Sequence, residues 1–410
     1  MLTRLSRLFN VDFAYLLKGG AVLGIGHTVG VLSGFFLSLI FANMIEVSVY
    51  GQYKYILSIA GILGAFTLSG VSTTVLQSVA KGFDGTLLAE QKSYLLWSLI
   101  SVALSLVVGG YYIIKDDFAL GMGVILVTFF SYIYNSITLQ GAFLSAKKDF
   151  KRLTVNQVLN SLILLGSIYW GVSHGFNTTL WIIVIYFCSQ ILFQGTTYFH
   201  MLRVHKPNSN VDPEDKYLSK HLSLGNIITS IAEYIDKILI FQFLGPTQVA
   251  VYAFAVAIPD QIRGINKLLG SLVVPKLSNK DDLSLKKSIN AHTKKHIVFS
   301  FGVTMLFFLI SPYIFKIFFP AYLDTANLAS LYMLLLPISA FSTMHGYALQ
   351  IKRDLKSLYI IRTVDSVGKI VLFVILIPLY GVLGAVSSIL IAKLLSTCSQ
   401  IFLYYYKHLH

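Results

Sequence analysis

Stretches of about twenty apolar residues, separated by short polar breaks, recur along this sequence, and that length is what a helix needs to cross a bilayer. Twelve such segments are expected. The first six run near Ala14–Asn43, Gly51–Ala80, Ser93–Ile114, Phe118–Ala146, Thr154–Val172 and Thr178–Met201. The second six run near Leu222–Leu244, Val249–Val274, His296–Phe319, Tyr322–Leu349, Leu358–Ile377 and Val382–Tyr406. None alternates with a period of two over about ten residues, which excludes a barrel. With 12% charged and 55% hydrophobic residues, the 410-residue chain lacks the charged surface a soluble protein of its size requires. The longest polar connection, Arg203–His221, is too short to be a domain outside the membrane. The expected fold is an all-α integral membrane protein of twelve transmembrane helices. Residues 1–202 would form an N-terminal six-helix bundle, 203–221 a cytoplasmic linker and 222–410 a C-terminal six-helix bundle.

The net charge of +14 reads as topology. With the N-terminus inside, the cytoplasmic segments collect Arg4 and Arg7, Lys147, Lys148, Lys151 and Arg152, and Arg203, Lys206, Lys216 and Lys220. They also collect Lys286, Lys287, Lys294 and Lys295, then Lys352, Arg353 and Lys356, whereas the outer margins hold only Lys115 and Lys316. Lys and Arg accumulate on the cytoplasmic side, so both termini are expected there. No basic face pairs with base-stacking aromatics outside the membrane, so no nucleic-acid partner is expected. The two cysteines, Cys188 and Cys398, form no C-x-x-C pair. The histidines show no H-E-x-x-H spacing, and no metal or other cofactor is expected.

The halves repeat. GAFLSAKKDFKRL from Gly141 returns as GYALQIKRDLKSL from Gly346, and Cys188-Ser189-Gln190-Ile191 returns as Cys398-Ser399-Gln400-Ile401. Six helices per copy is an even number, so both copies enter the bilayer in the same direction, as parallel repeats around a central cavity suited to alternating access. No G-x-x-x-x-G-K-[ST] loop occurs, which disfavours an ATP-driven pump.

These features carry a resemblance. Twelve spans in two six-helix copies resemble the multidrug/oligosaccharidyl-lipid/polysaccharide exporter superfamily, and within it the bacterial polysaccharide-synthesis flippases of the O-antigen type. Tyr50-Gly51-x-Tyr53 at the second helix, Asp236-Lys237, Leu244-Gly245-Pro246 and Val251-Tyr252 are similar to motifs of that family. Ala250 stands where many relatives have Gly. The resemblance implies a non-enzymatic transporter in a bacterial cytoplasmic membrane, driven by a proton or Na⁺ gradient. Its cargo would be a lipid-linked oligosaccharide, with membrane lipids around it and a polysaccharide polymerase and chain-length regulator as partners. A drug/cation antiporter of the same superfamily shares the fold, but its cavity should be acidic or aromatic. A membrane-embedded glycan polymerase or transferase would normally carry a large extramembrane catalytic loop.

Ionised groups within spans are costly and need a partner, a wet cavity or a role. The seventh helix carries Asn226, Ser230, Glu233 and Lys237 on one stripe with Asp236 at its edge, and the eighth carries Asp260, Arg263 and Lys267. The eleventh carries Arg362, Asp365 and Lys369, and the twelfth carries Lys393, Thr397 and Gln400. The first half offers Lys54 and the uncharged Asn156 and Asn160. One reading is internal neutralisation, pairing Glu233 with Lys237, Asp260 with Arg263 and Asp365 with Lys369. The other is a hydrated cavity. There Lys54, Lys237, Arg263, Lys267, Lys369 and Lys393 would bind the pyrophosphate of the lipid-linked substrate, with Glu233, Asp236, Asp260 and Asp365 coupling an ion. His27 and His345 read as packed neutral side chains. Pro259, Pro312 and Pro337 stand as hinges or as fixed kinks.

Overall fold

The computed structural model describes residues 13–213, 215–264, 277, 282–352 and 354–408, nearly all of them helical. Among the described residues no strand occurs. In chain order the helices are α1 Phe13–Met44, α2 Val47–Gly64, α3 Val71–Ala80, α4 Thr86–Ile114, α5 Phe118–Thr138, α6 Gln140–Ala146, α7 Phe150–Ser173 and α8 Thr179–His205. They continue as α9 Asp215–Leu244, α10 Pro246–Arg263, α11 Asp282–Phe318, a 3₁₀ turn at Pro320–Tyr322, α12 Thr325–Met333, α13 Leu335–Ile351 and α14 Leu355–His408. The polar connection between α8 and α9 is thus shorter than the sequence suggested, because both helices run on past their apolar cores.

Eight of these stretches are long and apolar enough to cross a membrane. Their outward faces are apolar: Val107, Leu192, Val298 and Leu309 are all about two-thirds exposed or more. A soluble fold does not sustain faces of this kind. The chain is a multi-pass membrane protein. Among the described residues, three of the twelve apolar segments are interrupted helices. The second breaks between Gly64 and Val71, the fourth at Leu139 and the tenth at Leu334. Pro337 explains the last of these, since it offers no N–H to the Met333 carbonyl four residues back and its ring crowds that carbonyl.

The eleventh and twelfth segments form the two limbs of α14, which folds back on itself at Gly381 with φ 59° and ψ −136°. That backbone region is open to glycine and strained for other residues. A Cβ at Gly368 would stand 3.7 Å from the Ala392 Cβ, and one at Gly384 would collide with the Leu376 carbonyl. The limbs therefore run antiparallel, in contact. Gly245, with φ 85°, ends α9 in the same spirit, and Pro246 starts α10 at the first helical position, where its missing N–H is not needed.

The chain divides into two compact units, one comprising the residues up to Ile45 with Ile59–Ile227, the other Glu46–Ser58 with Ile228–His410. In the first, Leu68, Val75, Leu87, Phe143, Leu144 and Met201 form a buried core. There α4 and α5 cross so closely that a Cβ at Gly109 would lie 2.7 Å from the Gly121 carbonyl oxygen, the small-residue packing expected of helices in lipid. Helix ends are capped by side chains: Asp117 accepts from the Leu120 N–H at 3.1 Å and Asp149 from the Arg152 N–H at 3.2 Å. Each such cap is worth about 1 kcal/mol. In the second unit, Ile240, Tyr252, Leu335, Phe373, Ile377 and Val386 make one core, and Ile289, Met344, Leu349 and Tyr404 belong to another.

Candidate functional site

A cavity of about 550 Å³ opens inside the second unit. Its floor is apolar, made by Ala232, Val256, Phe373 and Ile389, while Glu233, Asp236, Lys237, Asp260, Arg263 and Lys369 bring charge to its wall. The helical spacing of the sequence accounts for this convergence, since α9 and α10 each present one charged stripe.

The charges are organised around two tyrosines. Asp236 on α9 is buried and accepts from the Tyr252 hydroxyl at 2.7 Å. The Lys237 ammonium donates to both of its oxygens at 3.0 and 3.1 Å and lies 5.6 Å over the Tyr252 ring. On α10, Asp260 accepts from Arg263 at 2.7 Å and from the Tyr332 hydroxyl at 3.0 Å. Arg263 also donates to the Tyr332 oxygen at 3.1 Å and stacks 5.5 Å from its ring. Each carboxylate thus holds one cation and one phenol, and each cation also rests on an aromatic face. The sequence reading missed Tyr252 and Tyr332 as site residues. Tyrosine in a span signals packing or an interface, and only the fold shows which hydroxyls reach a carboxylate.

The expected pairings partly change. Lys237 bonds to its neighbour Asp236 and not to Glu233. Glu233 is exposed on the cavity wall and makes no ion pair with a described residue. Asp260–Arg263 and Asp365–Lys369 do form, the latter at 2.6 Å. Only one Asp365 oxygen is used; Oδ1 is buried with no hydrogen-bond partner among the described residues. Across the α14 hairpin stands Lys393, close enough to interact electrostatically with Asp365, Lys369 and Arg263 and in no ion pair among the described residues. Lys54 lies in the 46–58 segment of this same unit, its ammonium 5.3 Å over the Tyr50 ring and 5.9 Å over that of Tyr53, within repulsive range of Lys237. Lys267 falls outside the described residues. Arg362 is exposed and His27 is exposed, whereas His345 is buried against Tyr404 and Tyr405.

The first unit has a different polar chemistry. At one end, Asp149 receives the Arg152 guanidinium at 2.8 Å and the His205 ring at 3.2 Å. Partial burial alone would raise the Asp149 carboxyl. The Arg152 N–H and guanidinium and the His205 hydrogen bond outweigh that and hold it below its usual range. Asp212 fastens the inter-helix connection through Ser78 at 3.0 Å and Lys81 at 3.3 Å. The spans of this unit hold the fully buried Glu90 of α4 and, on α6 to α8, a set of side-chain amides that no ion pair joins among the described residues.

Comparison with known proteins adds the following. A family model described as "Polysaccharide biosynthesis protein" matches residues 16–280. A putative O-antigen transporter of Shigella flexneri is 24% identical over 170 residues, a match that spans 41% of this chain and 41% of that protein's length. Among solved structures, an inward-facing MATE-family multidrug transporter of the MOP superfamily superposes with a TM-score of 0.67 at 14% identity, covering 95% of this chain and 98% of that one. The lipid II flippase MurJ in an inward closed conformation gives 0.65 at 15% identity, covering 94% and 87%. At such identities the likeness is one of fold.

Proposed function

We propose, because the chain belongs to the polysaccharide biosynthesis protein family, that it is a flippase for a polyprenyl-pyrophosphate-linked oligosaccharide. The observation that carries this reading is the membrane-embedded cavity with Lys237, Arg263 and Lys369 on its wall and Lys393 behind it. A pyrophosphate needs several cations at once, and guanidinium and ammonium groups on aromatic and carboxylate supports are already oriented to receive it. The similarity to an O-antigen transporter and to a lipid II flippase supports the same cargo class. The lysine and arginine bias supports a cytoplasmic membrane with both termini inside.

The cavity charges divide by role. Asp236 and Asp260, each satisfied by a tyrosine and a cation, hold Lys237 and Arg263 in place. Glu233, in no ion pair among the described residues, and Asp365, with one oxygen unused among them, are the carboxylates that take up a proton or Na⁺. Loading an ion there weakens the hold on Lys369 and leaves it to the substrate anion, which links ion entry to cargo binding. A drug/cation antiporter is the second reading, favoured by the exposed Glu233 carboxylate, which is in no ion pair among the described residues.

Reconstitution decides between them. Purified protein in liposomes should move a polyprenyl-pyrophosphate oligosaccharide between leaflets without ATP, and faster under an imposed proton or Na⁺ gradient. Strict ATP dependence, sugar transfer to a new acceptor, or transport of organic cations with no movement of the glycolipid would refute the flippase reading.

A further inference from the structure

The first unit contains an amide ladder within its spans. The Asn160 amide on α7 donates to the Gln190 Oε1 on α8 at 2.7 Å, and the Asn160 Oδ1 accepts from Gln194 at 3.1 Å. Gln194 accepts in turn from Gln140, at the start of α6, at 2.6 Å, and Gln140 also donates to the Gln194 carbonyl at 3.1 Å and to Thr197 at 3.0 Å. From Gln190 to Thr197 the ladder climbs two turns of α8, about 10 Å.

Both ends of this ladder are open. Gln190 is 1% exposed and Gln140 3% exposed, and among the described residues neither the Gln190 Nε2 nor the Gln140 Oε1 has a hydrogen-bond partner. Reversing every amide along the ladder exchanges which end lacks a donor and which lacks an acceptor, and closes neither. A buried amide group left unpaired is destabilising by about 1–3 kcal/mol, so two of them in one seam call for an occupant. Interhelical glue does not account for them, since glue amides would be paired internally. The middle rungs, Asn160 and Gln194, are only half-buried, and a polar edge left open within an apolar span faces water in preference to lipid. One turn back along α8 from Gln190, Tyr186 packs against Phe187 at 5.0 Å, and Tyr134 of α5 meets the same ring at 6.4 Å.

We infer that this ladder is the sugar-binding surface of the transporter, taking the hydroxyls of neutral sugar residues. This rests on the flippase reading and deepens it. A hydroxyl both donates and accepts, and the half-buried amides of Asn160 and Gln194 offer a donor and an acceptor side by side, matching adjacent hydroxyls. The half-buried tyrosines supply the flat apolar faces against which a sugar ring packs. No ionised side chain joins the ladder among the described residues, which directs it to the uncharged part of the cargo.

The test compares two probes: the lipid-linked oligosaccharide pool extracted from the source cells, and bare polyprenyl pyrophosphate. Asn160→Leu and Gln194→Met should each weaken binding of the glycolipid by about tenfold and leave that of the bare lipid unchanged, the loss expected from one or two neutral hydrogen bonds. Equal losses for both probes, or unchanged binding with lowered thermal stability, would make the ladder interhelical glue and overturn the inference. The wild-type protein gives an independent arm that needs no variant to fold. If the glycolipid binds no more tightly than the bare lipid, the ladder does not read sugars, although the flippase reading survives. If neither probe binds or crosses the bilayer, it is the flippase reading that fails.

Discussion

Tyr252→Phe removes a single oxygen from the protein interior, and the structure gives its expected consequence. Tyr252 is 1% exposed and its hydroxyl donates to a carboxylate that is itself 5% exposed, at 2.7 Å. A hydrogen bond to a charged group of this kind contributes about 1.5–3 kcal/mol. The ring stays, so its packing and the Lys237 contact 5.6 Å from its centroid stay too. Asp236→Leu is harsher, because it leaves the buried Tyr252 hydroxyl and the half-buried Lys237 without their shared partner; breaking a buried pair is destabilising by up to about 3–5 kcal/mol. The double variant should therefore be less damaged than the two single losses combined, with a coupling of about 1.5–3 kcal/mol. In detergent, the midpoint of thermal unfolding should fall by about 3–12 °C for Tyr252→Phe, at about 2–4 °C per kcal/mol for a unit of this size. Losses that add with no coupling, or a Tyr252→Phe protein as stable as wild type, would refute the hydrogen-bonded cluster.

Gly381→Ala should lower the folded yield and be destabilising by about 1–3 kcal/mol, measured by fluorescence-detected size exclusion after heating, because its φ of 59° disfavours any side chain. Asp365→Ala and Lys369→Ala should each impair glycan export. If the double variant exports normally, the pair serves only structure, and Arg263 and Lys393 remain as the cationic candidates. Lys393→Arg should retain more transport than Lys393→Ala, since the position offers a charge with no fixed carboxylate geometry to satisfy. Asp149→Asn keeps a good helix cap and removes only the charge. The Asp149 carboxyl is held below its usual range, so its stabilisation is complete above the ordinary value of about 3.9 and disappears as pH falls through the lower folded value. The stability gap between wild type and variant, followed by thermal unfolding across pH, should thus be full at neutral pH and close only in strong acid.

The fold was legible because lipid imposes one demand, runs of apolar residues long enough to cross, and each expected segment is helical over most of its described residues. The breaks within segments were less so. Pro337 signals the one at Leu334, whereas nothing local marks Leu139 as the end of α5. In the site, period 3.6 grouped the charges by helix face, and it paired Asp260 with Arg263 and Asp365 with Lys369 correctly. It failed for Lys237. Spacing favoured Glu233 one turn back, but Tyr252 reaches Asp236 from α10 and fixes that carboxylate beside the ammonium. Periodicity carries no information about a neighbour from another helix. The amide ladder was missed for the same reason, since Gln140, Asn160 and Gln190 lie on three helices.

The α14 hairpin also bears on how the protein is made. Between its limbs stand only Pro378, Leu379, Tyr380 and Gly381, with no charged residue to anchor the chain in water on that side. A nascent first limb ending there has nothing to stop it, and a second limb carrying Lys393 is a poor candidate to enter lipid alone, at about 2.5–3.5 kcal/mol for a lysine near a helix centre. Arriving together, back to back from Gly368 and Ala392 onward, the limbs shield Lys393 with Asp365 before either meets the acyl chains. The last two spans are therefore expected to enter the bilayer as one hairpin, and a lengthened, hydrophilic turn at Gly381 should separate their insertion into two events.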